Sequence, residues 1–427
     1  MLDKFDTDEE DDNIEKNNIK KKKKKLKNLL YSNIKIILII ALIIIILFIF
    51  IYIFKEKILI DSPKYYIVLV GDIGGIHARL RLLNMTSNIN NDPIILRRTN
   101  KSPIDYESLE ILLKEFISSL KPNEKPEYAI MGMPGPVENN HLITLPNIPH
   151  WKLEDGDKLG KKLGVKKFIF LNDFVCTGYA IQTNLKENID YLILNKVQPK
   201  KGGAKLMIGP GTGLGMGFLL KNQEDKYYTI GSSEGGGRDY SPKSEFNLKL
   251  RKFVKEEVGL ENVSLGKMCS ARSLIPIYKF LHLYGEKKYE REPDLAKKID
   301  EFKSYKQVGK VSRINAELID KGLSGECQLS RATLWLFIEI FGEIAGDLAL
   351  FTLPFNGVYL LGRLTRRLTP LILQNNLFME HFKNKDHFWF LLERIPVYLI
   401  QNKNIELIGV TEAARRFLEE KEEEEKK

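Results

Sequence analysis

The sequence predicts an α/β body in two similar lobes, preceded by one membrane-spanning helix. Three stretches carry this. From Ile36 to Phe54 the chain reads IILIIALIIIILFIFIYIF, with no charge, Gly or Pro; about 19 residues at ~1.5 Å each cover ~28 Å, enough to cross a hydrocarbon core of ~30 Å. From Tyr65 to Leu80 it reads YYIVLVGDIGGIHARL, a β-branched apolar strand that runs into a glycine turn. Lys205 to Gly217, KLMIGPGTGLGMG, repeats that logic. Strand units alternating with helices in both halves place the body in the α/β class.

Composition narrows the function classes. The chain has 427 residues, 43% hydrophobic and 29% charged, which is ordinary for a globular protein and long enough for two cores. Its net charge is +10, but the lysines are spread along the chain and mixed with Asp and Glu. No arginine-rich stripe with interleaved aromatics stands out, so nucleic acid is not an expected partner. Cys176, Cys269 and Cys327 are odd in number and far apart, which predicts free buried thiols rather than a disulfide framework. No histidine pair has ligand spacing, so no structural zinc is expected.

In chain order, residues 1–33 read as a disordered tail, acidic and then rich in lysine from Lys20 to Lys27. Residues 34–54 form the span. It starts too far from Met1 and is too long for a cleaved signal, so it reads as a retained anchor. Lysines before the span outnumber Lys55 and Lys57 after it, and this asymmetry puts the N-terminus in the cytosol and the body on the far side. Asn84, Asn100 and Asn262 each begin an N-x-S/T sequon, which offers a test of that orientation. Residues 55–64 are a connector. The small lobe is expected to span 65–182 plus 404–418, the large lobe 183–403, and 419–427 a solvated charged tail.

Within the body, Asp72 ends the first strand, where a carboxylate can hold a metal-bound phosphate, and Gly74 and Gly75 open backbone amides to an anion. Asp105 to Leu120 has helical apolar spacing, and Tyr128 to Met133 is a strand closed by Pro134, Gly135 and Pro136. Lys166 to Leu171 is another strand; it delivers Asn172, Asp173 and Phe174 to its carboxyl end, where open α/β sheets bind ligands. Gly211, Thr212 and Gly213 offer a second set of amides and a hydroxyl to phosphate. Ile230 to Pro242 reads as a flexible loop carrying Glu234. In it Gly231, Ser233 and Gly235 match G-x-S-x-G, a minor esterase reading that lacks the helix the motif requires. Arg331 opens a long core helix with Glu339, Glu343 and Asp347 on one polar stripe. Asn356 to Arg363 gives a strand and turn, Pro396 to Ile400 a strand, and Gly409 to Glu419 a closing helix.

Five of these segments, in this order, resemble the bacterial-type glucokinase family, sugar kinases of the actin-like, ribonuclease-H-like ATPase superfamily. They are GDIGGIHARL, PNIPHW, LNDF, IGPGTGLGMG and SSEGGGRDY, and the similarity runs from Tyr65 to Leu418. The resemblance implies a two-lobed actin-like fold and transfer of the ATP γ-phosphoryl group to the 6-hydroxyl of glucose. It implies Asp173 as general base, and Asn147, Asn172 and Glu234 as sugar ligands. It also implies Asp72 as organiser of magnesium, with Gly74, Gly75, Gly211, Thr212, Gly213 and Gly362 around the ATP. The partners implied are glucose or a similar hexose, ATP, and a membrane through residues 36–54; a homodimer is compatible with it. The chain departs from the family at Ile76 and His77, where Thr and Asn are usual. It departs again at Gly237 for His, Gly266 for Glu and Arg363 for Gly. Two lost sugar partners cost about 1–3 kcal/mol each, so the rival reading is a weak or inactive sugar- or nucleotide-binding sensor.

Overall fold

The computed structural model describes residues 8–61, 63–145, 148–302, 304–305 and 307–427. These fall into two compact units, residues 1–64 and 65–427. The first is a single helix, α1 (Asp8–Asp61). Its stretch Ile19–Tyr52 is long and apolar enough to cross a membrane, with mean hydropathy 3.6 over its most apolar window. Ile37, Leu38 and Phe48 are all more than 60% exposed. The helix also takes in residues 8–33 and 55–61, which the sequence reading gives to a disordered tail and a connector. Lys, Glu and Leu are good helix formers, and extending a helix that is already nucleated costs little per residue. Residues 1–7 of the tail lie outside the described residues.

Among the described residues the second unit carries two large sheets and a two-stranded one, Val137–Glu138 with His141–Leu142. The first comprises β1 (Tyr66–Ile73), β2 (Ala78–Met85), β3 (Ile94–Lys101), β4 (Tyr128–Met133) and β5 (Lys167–Asn172), in the order β3-β2-β1-β4-β5. β1, β4 and β5 run parallel, with Asp72 opposite Gly132 and Met133 opposite Asn172. That register brings the ends of all three strands to one edge. Every residue of β4 is buried, as expected of a strand covered on both faces. One face is closed by α2 (Leu109–Ser118) and α3 (Gly156–Leu163), whose Leu112, Leu113 and Leu159 pack with Leu69, Met131 and Phe168. Ser108 and Asp155 cap these helices by accepting from the amides of Ile111 and Lys158.

After β5 comes α4 (Asp173–Ala180), and then the second sheet. Its strands are β6 (Tyr191–Asn195), β7 (Lys205–Pro210), β8 (Leu214–Leu220), β9 (Thr229–Ser233), β10 (Val358–Leu360) and β11 (Val397–Ile400), in the order β9-β8-β7-β10-β11-β6. A block of helices between residues 245 and 352 covers it, ending in α5 (Gln328–Thr352). The polar stripe of α5 is buried at one position only: Glu343 is buried and accepts from Asn247, Glu339 is half-buried, and the exposed Asp347 pairs with Lys385 at 2.5 Å. α6 (Arg363–Leu373) follows β10. The chain then closes with α7 (Ile405–Glu425), whose Val410, Ala414 and Leu418 pack on the open face of the first sheet with Val68, Val70 and Ile130.

Two expectations change here. The segment 230–242 begins as strand β9 rather than as a loop. The tail from residue 419 is helical to Glu425 and touches the body at two acids, Glu419 accepting from the Tyr227 hydroxyl at 2.9 Å and Glu422 from Ser87 at 2.7 Å, while residues 423–427 are exposed as expected of a solvated end. The three cysteines are free and buried, as expected.

Candidate active site

The base proposed from sequence stands at the first turn of α4. Asn172, the last residue of β5, takes the cap: its Oδ1 accepts from the amides of Phe174 at 2.9 Å and Val175 at 3.3 Å. Its Nδ2 donates to the Gly135 carbonyl at 3.0 Å, so one amide hydrogen is left for a ligand. Because Asn172 does the capping, Asp173 is spared that duty. Asp173 Oδ1 accepts only from the next amide, Phe174, at 2.9 Å among the described residues. Burial first, and then the charge of Asp72, push its carboxyl up to about 7; Glu406 and Glu234 add to this, and the Phe174 amide opposes it.

Phe174 fixes this turn against the second sheet. A Cβ on Gly215 of β8 would lie 2.0 Å from the Phe174 ring, so the ring occupies the space a side chain would fill. β8 is the far arm of the second glycine turn. Within that turn the Gly211 amide donates to Gly213 O at 2.7 Å, and Gly211, Thr212 and Gly213 are all exposed. A Cβ on Gly213 would meet nothing within 4 Å, so this surface faces open space. Gly362 adjoins it at the head of α6, with φ +99° and a would-be Cβ 3.0 Å from Pro210 O. Glycine is required there on both counts. Glu234 is exposed at the start of a single 3-10 turn, Gly235–Gly237, where Gly236 sits against Leu214 O. Gly266 abuts the same place, where a Cβ on it would lie 3.2 Å from Leu214 N, and brings no side chain.

The first glycine turn is the tip of the β1–β2 hairpin. The Gly74 amide donates to His77 O at 2.7 Å, and Gly75, Ile76 and His77 are exposed. Asp72 is buried beneath it, 6% exposed. Burial and then Glu406 lift its carboxyl to about 6, while Arg79 pulls the other way. Arg79 Nε donates to Asp72 Oδ2 at 2.9 Å and Nη2 donates to the same oxygen. Oδ1 accepts no hydrogen bond among the described residues. No group of three or more His, Cys, Asp or Glu side chains converges as a metal cage among those residues. A cation here would be held by one carboxylate plus water and phosphate, which is how magnesium is commonly bound.

A family model described as Glucokinase matches residues 69–417. The chain belongs to the glucokinase family. The glucokinase of Nostoc punctiforme is 34% identical over 354 residues, which cover 82% of this chain and 99% of that one. Among solved structures, the glucokinase of an Antarctic psychrotroph superposes with TM-score 0.65 at 24% identity, over 82% of this chain and 99% of its own. The glucokinase of Balamuthia mandrillaris, solved in complex with glucose, superposes with TM-score 0.62 at 18% identity, over 83% and 94%. The expected α/β kinase fold is therefore the observed one, and the chain is a glucokinase-like sugar kinase by family.

Of the site residues inferred for this glucokinase-family chain, Asp72 and Glu234 both act on the Asp173 carboxyl, and the second turn meets Gly362 and the Glu234 loop. Asn147 lies outside the described residues. G-x-S-x-G finds no elbow: Gly231 and Ser233 are on β9 and Gly235 is in the 3-10 turn. Sequence reasoning missed Arg79 and Glu406. Arg79 was readable, since a four-residue tip puts it opposite Asp72. Glu406 arrives from the other end of the chain and carried no local signal.

Proposed function

We propose that this chain transfers the γ-phosphoryl group of ATP to the 6-hydroxyl of glucose, with Asp173 as general base. The observation that carries the reading is the state of Asp173. It is uncapped, set at the carboxyl edge of the first sheet, tied to the second glycine turn through Phe174, and tuned to about 7, where a base is both ionised and able to take a proton. A sugar hydroxyl would give its proton to Asp173 as its oxygen attacks phosphorus. The exposed amides of the two turns would carry charge on the transferring group. Magnesium supplies charge neutralisation between the phosphates when bound, and Asp72 would hold it through water. Asn147, Asn172 and Glu234 would bind the sugar, and Gly362 would border the nucleotide.

Lobes at 65–182 with 404–418 and at 183–403 would close over the substrates and exclude water. The body works in the cytosol on this reading, held to a membrane through residues 36–54, although the flanking lysines argue for the opposite orientation. A second reading, a weak or inactive sugar- or nucleotide-binding sensor, draws on three positions. Ile76 offers no hydroxyl at the first turn, Gly237 no side chain, and Gly266 no carboxylate. ATP-dependent formation of glucose 6-phosphate by the full chain in detergent, with Asp173→Ala beside it, separates the two. Turnover that vanishes in the variant supports the kinase. No turnover, with glucose still raising the thermal midpoint, supports the sensor.

A further inference from the structure

Arg79 is engaged on every side. Opposite Asp72 in the hairpin, it gives Nε and Nη2 to one carboxylate oxygen, Asp72 Oδ2. Nη1 donates to the Lys403 carbonyl at 2.6 Å and to Asn404 Oδ1 at 3.2 Å, and Nη2 forms an ion pair with Glu406 Oε2 at 3.5 Å. Asn404 stands at the cap position of α7 yet makes no side-chain cap, because its oxygen serves Arg79. The same segment is fastened to the second sheet's side: the Asn404 amide donates to Asn402 Oδ1, and Asn402 Nδ2 donates to Asp190 Oδ1 at 2.5 Å. Arg79 therefore brackets the end of β1 to the segment that enters α7.

An arginine alone with a carboxylate favours a two-pronged pair that occupies both oxygens. Here both prongs fall on Oδ2, and the pull from residues 403–406 accounts for the offset. We propose that Glu406 and Arg79 are positioning residues: Glu406 shares the guanidinium with Asp72, keeping it on Oδ2 and leaving Oδ1 turned free for the hydrated magnesium ion of the nucleotide. This rests on the kinase reading. Without Glu406, Nη1 keeps Lys403 and Asn404, but Nη2 has Asp72 as its one partner among the described residues, and its charge moves toward Oδ1 and the ion.

The test is calorimetric titration of the full chain with AMP-PNP, in magnesium and in EDTA, for the parent, Glu406→Gln, Glu406→Asp, Arg79→Met and the double variant. Arg79→Lys, which keeps the charge but not the fork, replaces Arg79→Met if that variant fails to fold. Glu406→Gln should weaken binding about 3- to 10-fold in magnesium only. It should also raise the magnesium half-saturation of turnover while leaving the glucose KM and the thermal midpoint in place, and Glu406→Asp should recover most of the loss. Arg366 also feels the Glu406 charge, so the cycle with Arg79 is decisive. A double variant no worse than Arg79→Met alone shows that Glu406 acts through Arg79. Additive losses, equal losses in EDTA, or unchanged binding in Glu406→Gln overturn the proposal. A parent that binds magnesium AMP-PNP but phosphorylates no glucose refutes the kinase reading, while the calorimetry still decides the role of Glu406.

Discussion

Replacing Asp173 with Asn should kill turnover and stabilise the protein. The folded carboxyl titrates at about 7 against 3.8 for the free group. The folded state therefore binds more protons than the unfolded one between roughly pH 4 and 7, and stability falls as pH rises through that window. About three pH units at ~1.4 kcal/mol each amount to about 4 kcal/mol, fully present above pH 7. Asn keeps the shape and the acceptor for the Phe174 amide but carries no charge. Asp173→Asn should accordingly gain about 4 kcal/mol at pH 8, a gain that shrinks toward zero near pH 4. Denaturant unfolding of the full chain in detergent, followed by tryptophan fluorescence at pH 8 and pH 4.5, measures this. A coupled assay for glucose 6-phosphate should show a fall of 100-fold or more, on the order expected for a lost general base. In the parent, kcat/KM should rise with pH through an ionisation near 7 and then level off. An Asn variant that is less stable at pH 8, or that keeps its turnover, refutes the reasoning.

Three further outcomes follow from backbone geometry and exposure. Gly362→Ala forces a side chain into φ +99° and against Pro210 O, and should cost about 1–3 kcal/mol while raising the KM for ATP more than that for glucose. Gly409→Ala puts a Cβ 1.6 Å from Cys176 O at the α4–α7 crossing, and should cost about 3 kcal/mol or more in chemical denaturation. When the full chain is made in cells that glycosylate secreted proteins, Asn100 and Asn262, both exposed, should stay unmodified if the body works beside ATP. An endoglycosidase-sensitive mass shift would place the body on the other side of the membrane and remove the kinase reading.

β1 and β4 were legible because each is a short apolar run closed by Gly or Pro, and the observed bounds of β4 and β5 lie within a residue of the expected ones, whereas β3, with its Arg97, Arg98 and Lys101, was not anticipated. The place of Asp173 was legible too, since a strand that runs into Asn-Asp delivers both to its carboxyl edge. β9 was hidden: Gly231, Ser232 and Ser233 have no apolar alternation, and only pairing with β8 makes them a strand. The helical ends at residues 8–33 and 419–425 were hidden because low hydrophobicity describes tails and charged helices equally. Glu406 was hidden most deeply, for its meaning depends on a contact with Arg79, 327 positions away in sequence.

The Phe174 ring in the hollow of Gly215 makes the second glycine turn a gauge for the turn that carries Asp173. Any side chain at position 215 would lift the ring, and Asp173 is only one peptide bond from Phe174. Positions 174 and 215 should therefore drift only as a matched pair, a bulkier residue on the strand tolerated only with a smaller one on the helix. Under the proposed roles, a change in the Glu234 loop would leave the spacing between Asp173 and the second glycine turn untouched.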